Sequence, residues 1–322
     1  DVYALSLLSS TSSSLHVGGK FTFYRGTRAE RLAKVDLSTA ALDTTFTLSS
    51  GGANQVVYSL AILGDSLFLG GHFYTYRGST ATKIAKVNLS TGALDTTFNS
   101  GIGSSSAGGP DNAVMTILAI PCGTGCTYTA TALPGLYIGG YFKNFKGGTG
   151  ATATGNPYLV KLNPLTGTNI ANGNYFQSTD PQITNQHVSS LATDGTSLYF
   201  GGNFTTYKGS TANYLAKIGL NDGALDTTFT SSSGGANSTV TALAASSSAL
   251  YVGGTFTTYR GTASQRLAKV DLSSGNLDTT FTKTTGFSEN NITISALAVS
   301  STALYVGGNF TVYRNNANNG TL

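Results

Sequence analysis

The residues of this chain that could carry acid–base, nucleophilic or metal chemistry are few. The histidines are His16, His72 and His187, the glutamates Glu30 and Glu289, and the cysteines Cys122 and Cys126. No histidine has a Ser or Cys nucleophile and a supporting acid near it in sequence, although distant parts of a fold can assemble such a triad. Glycoside hydrolysis by two glutamates would require Glu30 and Glu289 to meet, and a mixed Asp/Glu pair stays open. The run Gly147-Gly148-Thr149-Gly150 lacks the Gly-Lys-Ser/Thr ending of a phosphate loop. Two thiolates without a nearby histidine are too few for a structural zinc site. A local disulfide between Cys122 and Cys126, across Gly123-Thr124-Gly125, is the expectation, and it would place the chain in an oxidising compartment. The sequence therefore predicts no cofactor, no metal and no catalysis.

Three other sets of charged residues recur at fixed positions. Arg25, Arg77, Lys146, Lys208, Arg260 and Arg314 form one set, Lys34, Lys86, Lys161, Lys217 and Lys269 a second, and Asp43, Asp95, Asp226 and Asp278 a third. Repetition at this regularity points to scaffolding. We expect each Asp to pair with a repeat Arg or Lys, within a unit or between units. Such pairs contribute roughly 0–1 kcal/mol each when exposed and help fix register when partly buried.

The element that positions these charges is marked by a doubled glycine. Gly18-Gly19, Gly70-Gly71, Gly139-Gly140, Gly201-Gly202, Gly253-Gly254 and Gly307-Gly308 are each followed by X-Phe, and the first glycines lie 52, 69, 62, 52 and 54 residues apart. A period near fifty is one supersecondary unit repeated. Each unit opens with a short apolar strand: Tyr3–Leu8, Val56–Ala61, Val114–Ile120, Val188–Ala192, Val240–Ala244 and Ile292–Val299. A second strand carries the glycine pair, and a polar loop beginning Arg-Gly or Lys-Gly leads to a third, such as Leu267 to Leu272. A Ser/Gly turn then gives a short fourth strand, such as Leu277 to Phe281. No segment has a sustained helical period. Four strands per fifty residues predict an all-β fold, a β-propeller of four-stranded antiparallel blades. Its units fall at about 1–50, 51–108, 109–181, 182–233, 234–286 and a partial 287–322, within one domain. The glycine pairs are read as packing positions, since glycine in a strand marks a bulge or a close backbone approach.

An asparagine stands at each junction. Asn54, Asn112, Asn185, Asn237 and Asn291 lie six residues before Leu60, Leu118, Leu191, Leu243 and Leu297. Asn tolerates left-handed backbone and bonds its own chain, so it is read as fixing the turn between units.

Ala33-Lys34-Val35-Asp36-Leu37 running to Ala41-Leu42-Asp43-Thr44-Thr45-Phe46, with 85–98, 216–229 and 268–281 like it, resembles the delta-sixty repeat family of bacterial β-propellers. That family's pattern is Arg-Leu-Asn, a turn, then Gly-X-Leu-Asp-X-X-Phe, after a Val-Gly-Gly-X-Phe strand. Unit three departs from it, keeping Lys161 but no Leu-Asp pair. The glycine pair is also similar to the kelch repeat, although kelch blades carry a tryptophan and this chain has none. The resemblance implies a propeller, mostly found on secreted or surface proteins, with no established reaction.

Charged residues make up 10% of the chain and the formal net charge is +4. Most of the Lys and Arg are dispersed over the two repeat positions, whereas nucleic-acid binding needs a clustered basic face. No run reaches the length of a transmembrane helix, so no membrane insertion is expected. A start at Asp1 fits a cleaved export signal or excision from a longer protein. The sixth unit shows two strands and then Asn-rich chain, so either the chain is truncated or strands from elsewhere, a neighbouring subunit's included, complete it.

Irregularity gathers in the third unit, and loops are where a rigid scaffold carries recognition. Asp111, Asn112, Tyr141, Lys143 and Asn144 are the candidate contact region. The expected role is a secreted or cell-surface structural or adhesive module, binding a protein or surface glycan, with self-assembly as a further option. The alternative is a carbohydrate-binding or glycan-hydrolysing propeller.

Overall fold

The computed structural model describes residues 1–8, 12–47, 51–102, 109–122, 135–146, 158–170, 187–220, 222–230, 235–287, 292–315 and 318–321. The chain forms two compact units, Asp1–Thr179 and Asp180–Leu322.

In the first unit three antiparallel sheets repeat one plan. Ser14–Gly19 lies between Val2–Ser6 and Leu32–Asp36, Ser66–Gly71 between Val57–Leu63 and Ile84–Asn88, and Gly135–Gly140 between Val114–Ile120 and Leu159–Leu162. In the second unit Ser197–Asn203 lies between His187–Thr193 and Leu215–Gly219, and Ala249–Gly254 between Val240–Ala245 and Leu267–Asp271. A last pair, Ile294–Val299 with Leu304–Gly308, is two-stranded. The glycine-bearing strand is central in each of these five three-stranded sheets and buried along most of its length, because sheets within a unit cover each other's faces. The third strand is apolar and buried on both faces where it starts: Leu32 and Ala33, Ile84 and Ala85, Leu267 and Ala268.

Every first strand is bulged at the same place. The register slips between Val2 and Ala4, Val57 and Ser59, Val114 and Thr116, Val188 and Ser190, Val240 and Ala242, and Ile294 and Ala296. The second glycine of each pair lies opposite this bulge. A side chain at Gly71 would run into the Val56 carbonyl, and one at Gly254 into that of Thr239. A bulge lets one strand turn two adjacent-parity side chains to the same face. Here these are Val57 and Leu60, both buried.

Two expected elements differ. The fourth strand is reduced to a single bridge, as in Val35 with Leu42, Val87 with Leu94, Ile218 with Leu225 and Val270 with Leu277. Beyond it the chain curls instead of extending, and in two units it forms short helices, Thr96–Ile102 and Thr279–Thr284. The cause is the Asp that follows the bridging Leu: Asp95 Oδ1 accepts the Phe98 N–H at 3.0 Å, the bond of a helix N-cap. That local bond outweighs the strand preference of Thr-Thr-Phe.

The Arg-Gly loop, in turn, is a two-residue hairpin. Thr75–Tyr76 pairs with Ser79–Thr80 across Arg77 (φ 48) and Gly78 (φ 78). Arg25-Gly26, Lys208-Gly209 and Arg260-Gly261 have the same positive φ pair. This is a type I′ turn, whose twist matches the flanking strands.

Candidate functional site

The repeated residues build three kinds of contact, beginning with the glycine pair. At the first glycine, an added Cβ would lie 2.8 Å from Val57 Cγ1 for Gly18, 2.6 Å from Val114 Cγ1 for Gly70 and 2.6 Å from Ile294 Cγ2 for Gly253. The contacting residue always belongs to the next repeat's first strand. Each joint is therefore a branched side chain seated in the hollow of a glycine.

The second contact involves the repeat charges. Lys34 meets Asp43 at 2.9 Å, Lys86 meets Asp95 at 2.8 Å, Lys217 meets Asp226 at 2.9 Å and Lys269 meets Asp278 at 3.0 Å, all within single repeats. The partner is Lys in each case. The arginines go elsewhere: Arg77 Nη2 donates to the Phe46 carbonyl of the preceding repeat, and Arg260 Nη2 to that of Phe229. Arg25 lies 5.9 Å from the Tyr24 ring. Burial raises the Asp43 carboxyl, but the Thr45 hydroxyl, the Lys34 ammonium and the Phe46 N–H outweigh it and hold the group below the usual range. Burial likewise opposes, and the Lys86 bond leads, the lowering at Asp95. At Asp226 burial is outweighed first by the Phe229 N–H and then by Lys217. Asp278 is lowered chiefly by Lys269.

The third contact sets the junctions. Asn54 Oδ1 accepts the N–H groups of Tyr74 at 2.9 Å and Thr75 at 3.1 Å, and Asn237 Oδ1 those of Thr257 at 2.8 Å and Thr258 at 3.1 Å. These bonds reach across the following hairpin rather than along the residue's own turn. In the third repeat the role falls to Asp111, not Asn112. Asp111 Oδ1 accepts the Lys143 N–H at 2.8 Å, and its Oδ2 accepts from Asn144 Nδ2 at 2.9 Å. Asn112 only accepts the N–H of Ala113. Counting back from Leu118 misplaced the register by one, because Val114, paired with Gly140, corresponds to Val57 and makes Ile117 the counterpart of Leu60. Asn185 and Asn291 lie outside the described residues.

The candidate contact region thus comes together around one turn. Asp111, Lys143 and Asn144 are bonded to each other, and Tyr141 projects beside them, exposed. Lys83 sits close by, 4.6 Å from the Tyr74 ring, its pKa lowered by burial against the opposing pull of Asp111.

His16 is buried, its Nε2 3.3 Å from the Leu89 carbonyl and its ring edge-on to Phe46 at 5.2 Å. Burial holds its pKa below the ordinary value. His72 stacks edge-on to Tyr74 at 5.8 Å, and burial lowers the pKa of His187. Glu30 is paired with Arg28 through Nε at 3.0 Å, while Glu289 and Cys126 lie outside the described residues. Among the described residues no three of His, Cys, Asp and Glu gather as a metal site. Lys161, fully buried, follows a different rule from its repeat mates: Ile170 stands where they find Asp, and burial pushes its pKa down to about 8.

An open cleft of about 400 Å³ in the second unit is lined by Ser246, Ser247, Ser248, Tyr251, Ser300 and Thr302, among others. It offers hydroxyls and one ring, and no carboxylate.

Three stretches, residues 65–98, 197–229 and 250–281, match the family model described as "Domain of unknown function (DUF5122) beta-propeller". Each runs from a glycine-bearing strand to the Asp-capped turn. The fold is a β-propeller. Similar solved structures agree on the fold across nearly the whole chain. The WD40 β-propeller domain of Doa1 is 13% identical, with a TM-score of 0.56 over 95% of this chain and 75% of that one. The computationally designed Ika8 protein is 14% identical, with a TM-score of 0.52 over 100% of this chain and 73% of that one. The extracellular domain of BT4673 from B. thetaiotaomicron is 14% identical, with a TM-score of 0.51 over 96% of this chain and 32% of that one. No curated protein matches the chain. Among the described residues no helix is long and apolar enough to cross a membrane.

Two features of the blades escaped sequence reasoning. The I′ hairpin was signalled by Gly after each repeat Arg or Lys, but a basic residue at positive φ is an unusual choice. The inter-blade arginine bond had no local signal, since its partner is a backbone carbonyl 31 residues earlier.

Proposed function

We propose that this propeller is a secreted or cell-surface interaction module, structural or adhesive in role, with no catalytic activity of its own. The observation that carries the reading is the use of its carboxylates. Asp43, Asp95, Asp226 and Asp278 are tied to lysines. Asp36 is lowered to about 2 by the Ser38 and Thr39 hydroxyls and N–H groups of its turn, and Asp271 is held low by Ser273 and Ser274. Asp194 is held down against its burial by the Thr196 N–H and the Tyr199 hydroxyl. A general acid needs its pKa raised toward neutrality, and these groups are all moved the other way. They serve turns and blade edges.

The partner in this reading is a protein or a surface glycan, other copies of the chain included, with the turn bearing Asp111, Tyr141, Lys143 and Asn144 as a contact region. Membership in the bacterial delta-sixty repeat family and a Cys122–Cys126 disulfide belong to the same proposal; alkylation of the unfolded chain only after reduction would support the bridge. Carbohydrate binding or hydrolysis is the second reading, favoured by the cleft in which Tyr251 faces a set of serines. A glycan array combined with a turnover assay separates the two. Retention of an intact glycan supports a binding module, and release of reducing sugar by the wild-type chain overturns the non-catalytic reading.

A further inference from the structure

One edge of the second and third blades departs from the repeat. Each repeat continues past its glycine pair as X-Phe-Z, and Z is Thr22, Thr205, Thr257 or Thr311 in four of them. Rings stand at X or Z only in the second and third repeats, as His72 and Tyr74 and as Tyr141. The backbone there follows the common plan, with the X amide donating to the residue before its own first strand: His72 to the Val56 carbonyl and Tyr141 to that of Ala113. Phe73 and Phe142, between X and Z, are buried, while Tyr74 is 44% and Tyr141 39% exposed. Packing accounts for the phenylalanines; the tyrosines turn to the surface.

Polar groups surround the two tyrosines. Lys83 Nζ lies over one face of the Tyr74 ring, 4.6 Å from its centroid, and His72 is edge-on to it at 5.8 Å. With one face taken, Tyr74 offers its other face and its phenol tip to solvent. Asp111, whose charge acts on Lys83, links this group to the third blade. It accepts the Lys143 N–H at 2.8 Å and an Asn144 Nδ2–H at 2.9 Å, so its carboxylate is already engaged. Lys143 and Asn144 are exposed. Among the described residues no carboxylate pairs with the Lys143 ammonium. Lys83 and Lys143 against Asp111 leave this edge with a net positive charge.

We infer that this edge binds an anionic saccharide, whose pyranose ring lies against Tyr74 and Tyr141 and whose carboxylate or sulfate meets the Lys143 ammonium. The C–H face of a sugar ring is weakly positive and lies flat on the negative face of an aromatic ring. The Asn144 amide and the phenol hydroxyls can donate to and accept from the sugar hydroxyls around it. A peptide would call for an apolar groove or a free strand edge, whereas polar groups flank the rings here. The inference rests on the reading of the chain as a binding module, and it names the ligand class for the contact region of that reading.

The test is calorimetric titration of the full 322-residue chain with three probes. An oligogalacturonate supplies carboxylates, a carrageenan oligosaccharide supplies sulfates, and polyglutamate is an anion without a sugar ring. The wild type is expected to bind at least one of the two saccharides, less tightly as salt rises. Polyglutamate should bind more weakly by roughly tenfold or more. Tyr74→Ala and Lys143→Glu, both at exposed positions, should each weaken saccharide binding by roughly tenfold or more. Tyr74→Phe keeps the ring and should retain most of the affinity, which separates lost stacking from lost folding. Three results overturn the inference: neither saccharide binds, Tyr74→Ala binds like the wild type, or polyglutamate binds as tightly as the sugars. The wider reading fails on a different readout, release of reducing sugar, and it stands if a neutral glycan or a protein is still bound by Lys143→Glu.

Discussion

The guanidinium of Arg77 donates to the backbone carbonyl of Phe46 in the preceding blade, and Arg77 itself sits at φ 48 in the first position of a type I′ turn. Asn would fit that turn better, since the left-handed region costs an ordinary residue about 1 kcal/mol or more. The arginine is explained by its reach, because Nη1 and Nη2 also lie 3.3 Å from the Thr91 carbonyl, and one side chain ties two blades together. Arg260 repeats the arrangement with Phe229 and Asn276.

Arg77→Asn should therefore destabilise the chain, by about 1–2 kcal/mol net of the relieved turn. Arg77→Ala should cost more, having neither the bond nor the favoured turn residue. Urea midpoints of the two variants provide the comparison. An Asn variant as stable as the wild type would mean that the guanidinium bond contributes nothing.

The blade joint gives a position-dependent expectation. Gly70→Ala would place its methyl 2.6 Å from Val114 Cγ1 and 2.9 Å from Ile117 Cδ1, in a packed interior. Overpacking of this kind costs about 1–3 kcal/mol. Gly307→Ala meets nothing closer than 3.6 Å and should be nearly neutral. Thermal unfolding of the pair checks the contrast.

The period and the alternation of apolar residues were legible because blades repeat a covalent pattern, and the doubled glycine is needed at every joint where a neighbour's Val or Ile enters. Less was legible wherever a side chain answers to backbone geometry. Asp43 and its equivalents read as ion-pair partners, yet they also accept N–H groups of their own turn, which shortened the fourth strand to a bridge. Lys and Arg at repeat positions were interchangeable in sequence. In space Lys86 turns to its own blade's Asp95 and Arg77 to the previous blade's chain. The shift from Asn112 to Asp111 was concealed by counting from a leucine, when the fixed point is the valine opposite the second glycine.

The turn after the third strand offers a stabilising change. Gly92, Gly223 and Gly275 occupy it at φ 66, 61 and 65, and their carbonyls accept the hydroxyls of Tyr76, Tyr207 and Tyr259. In the first blade the position is Ala40, at φ 55, accepting from Tyr24 at 2.9 Å. Ala40→Gly removes the left-handed strain and should raise stability by about 1 kcal/mol, less the flexibility it adds to the unfolded chain. A rise in the urea midpoint is the expected result.

Titration should act on the blades from both ends of the pH scale. Asp43, Asp95, Asp226 and Asp278 have folded pKa values below their unfolded ones, so their contribution is complete above about pH 4 and is lost as the pH falls below it. Lys161 works on the alkaline side. Its folded pKa of about 8 lies below the unfolded value, so between them the unfolded chain holds the extra proton and stability rises with pH. The slope from this one group reaches at most about 1.4 kcal/mol per pH unit. Lys161→Met, which keeps the buried stem and removes the charge, should abolish that alkaline rise while leaving the acid loss in place. Unfolding free energies of the two proteins from about pH 2 to about pH 10 would show it, and parallel alkaline limbs would mean that Lys161 stays protonated inside the blade.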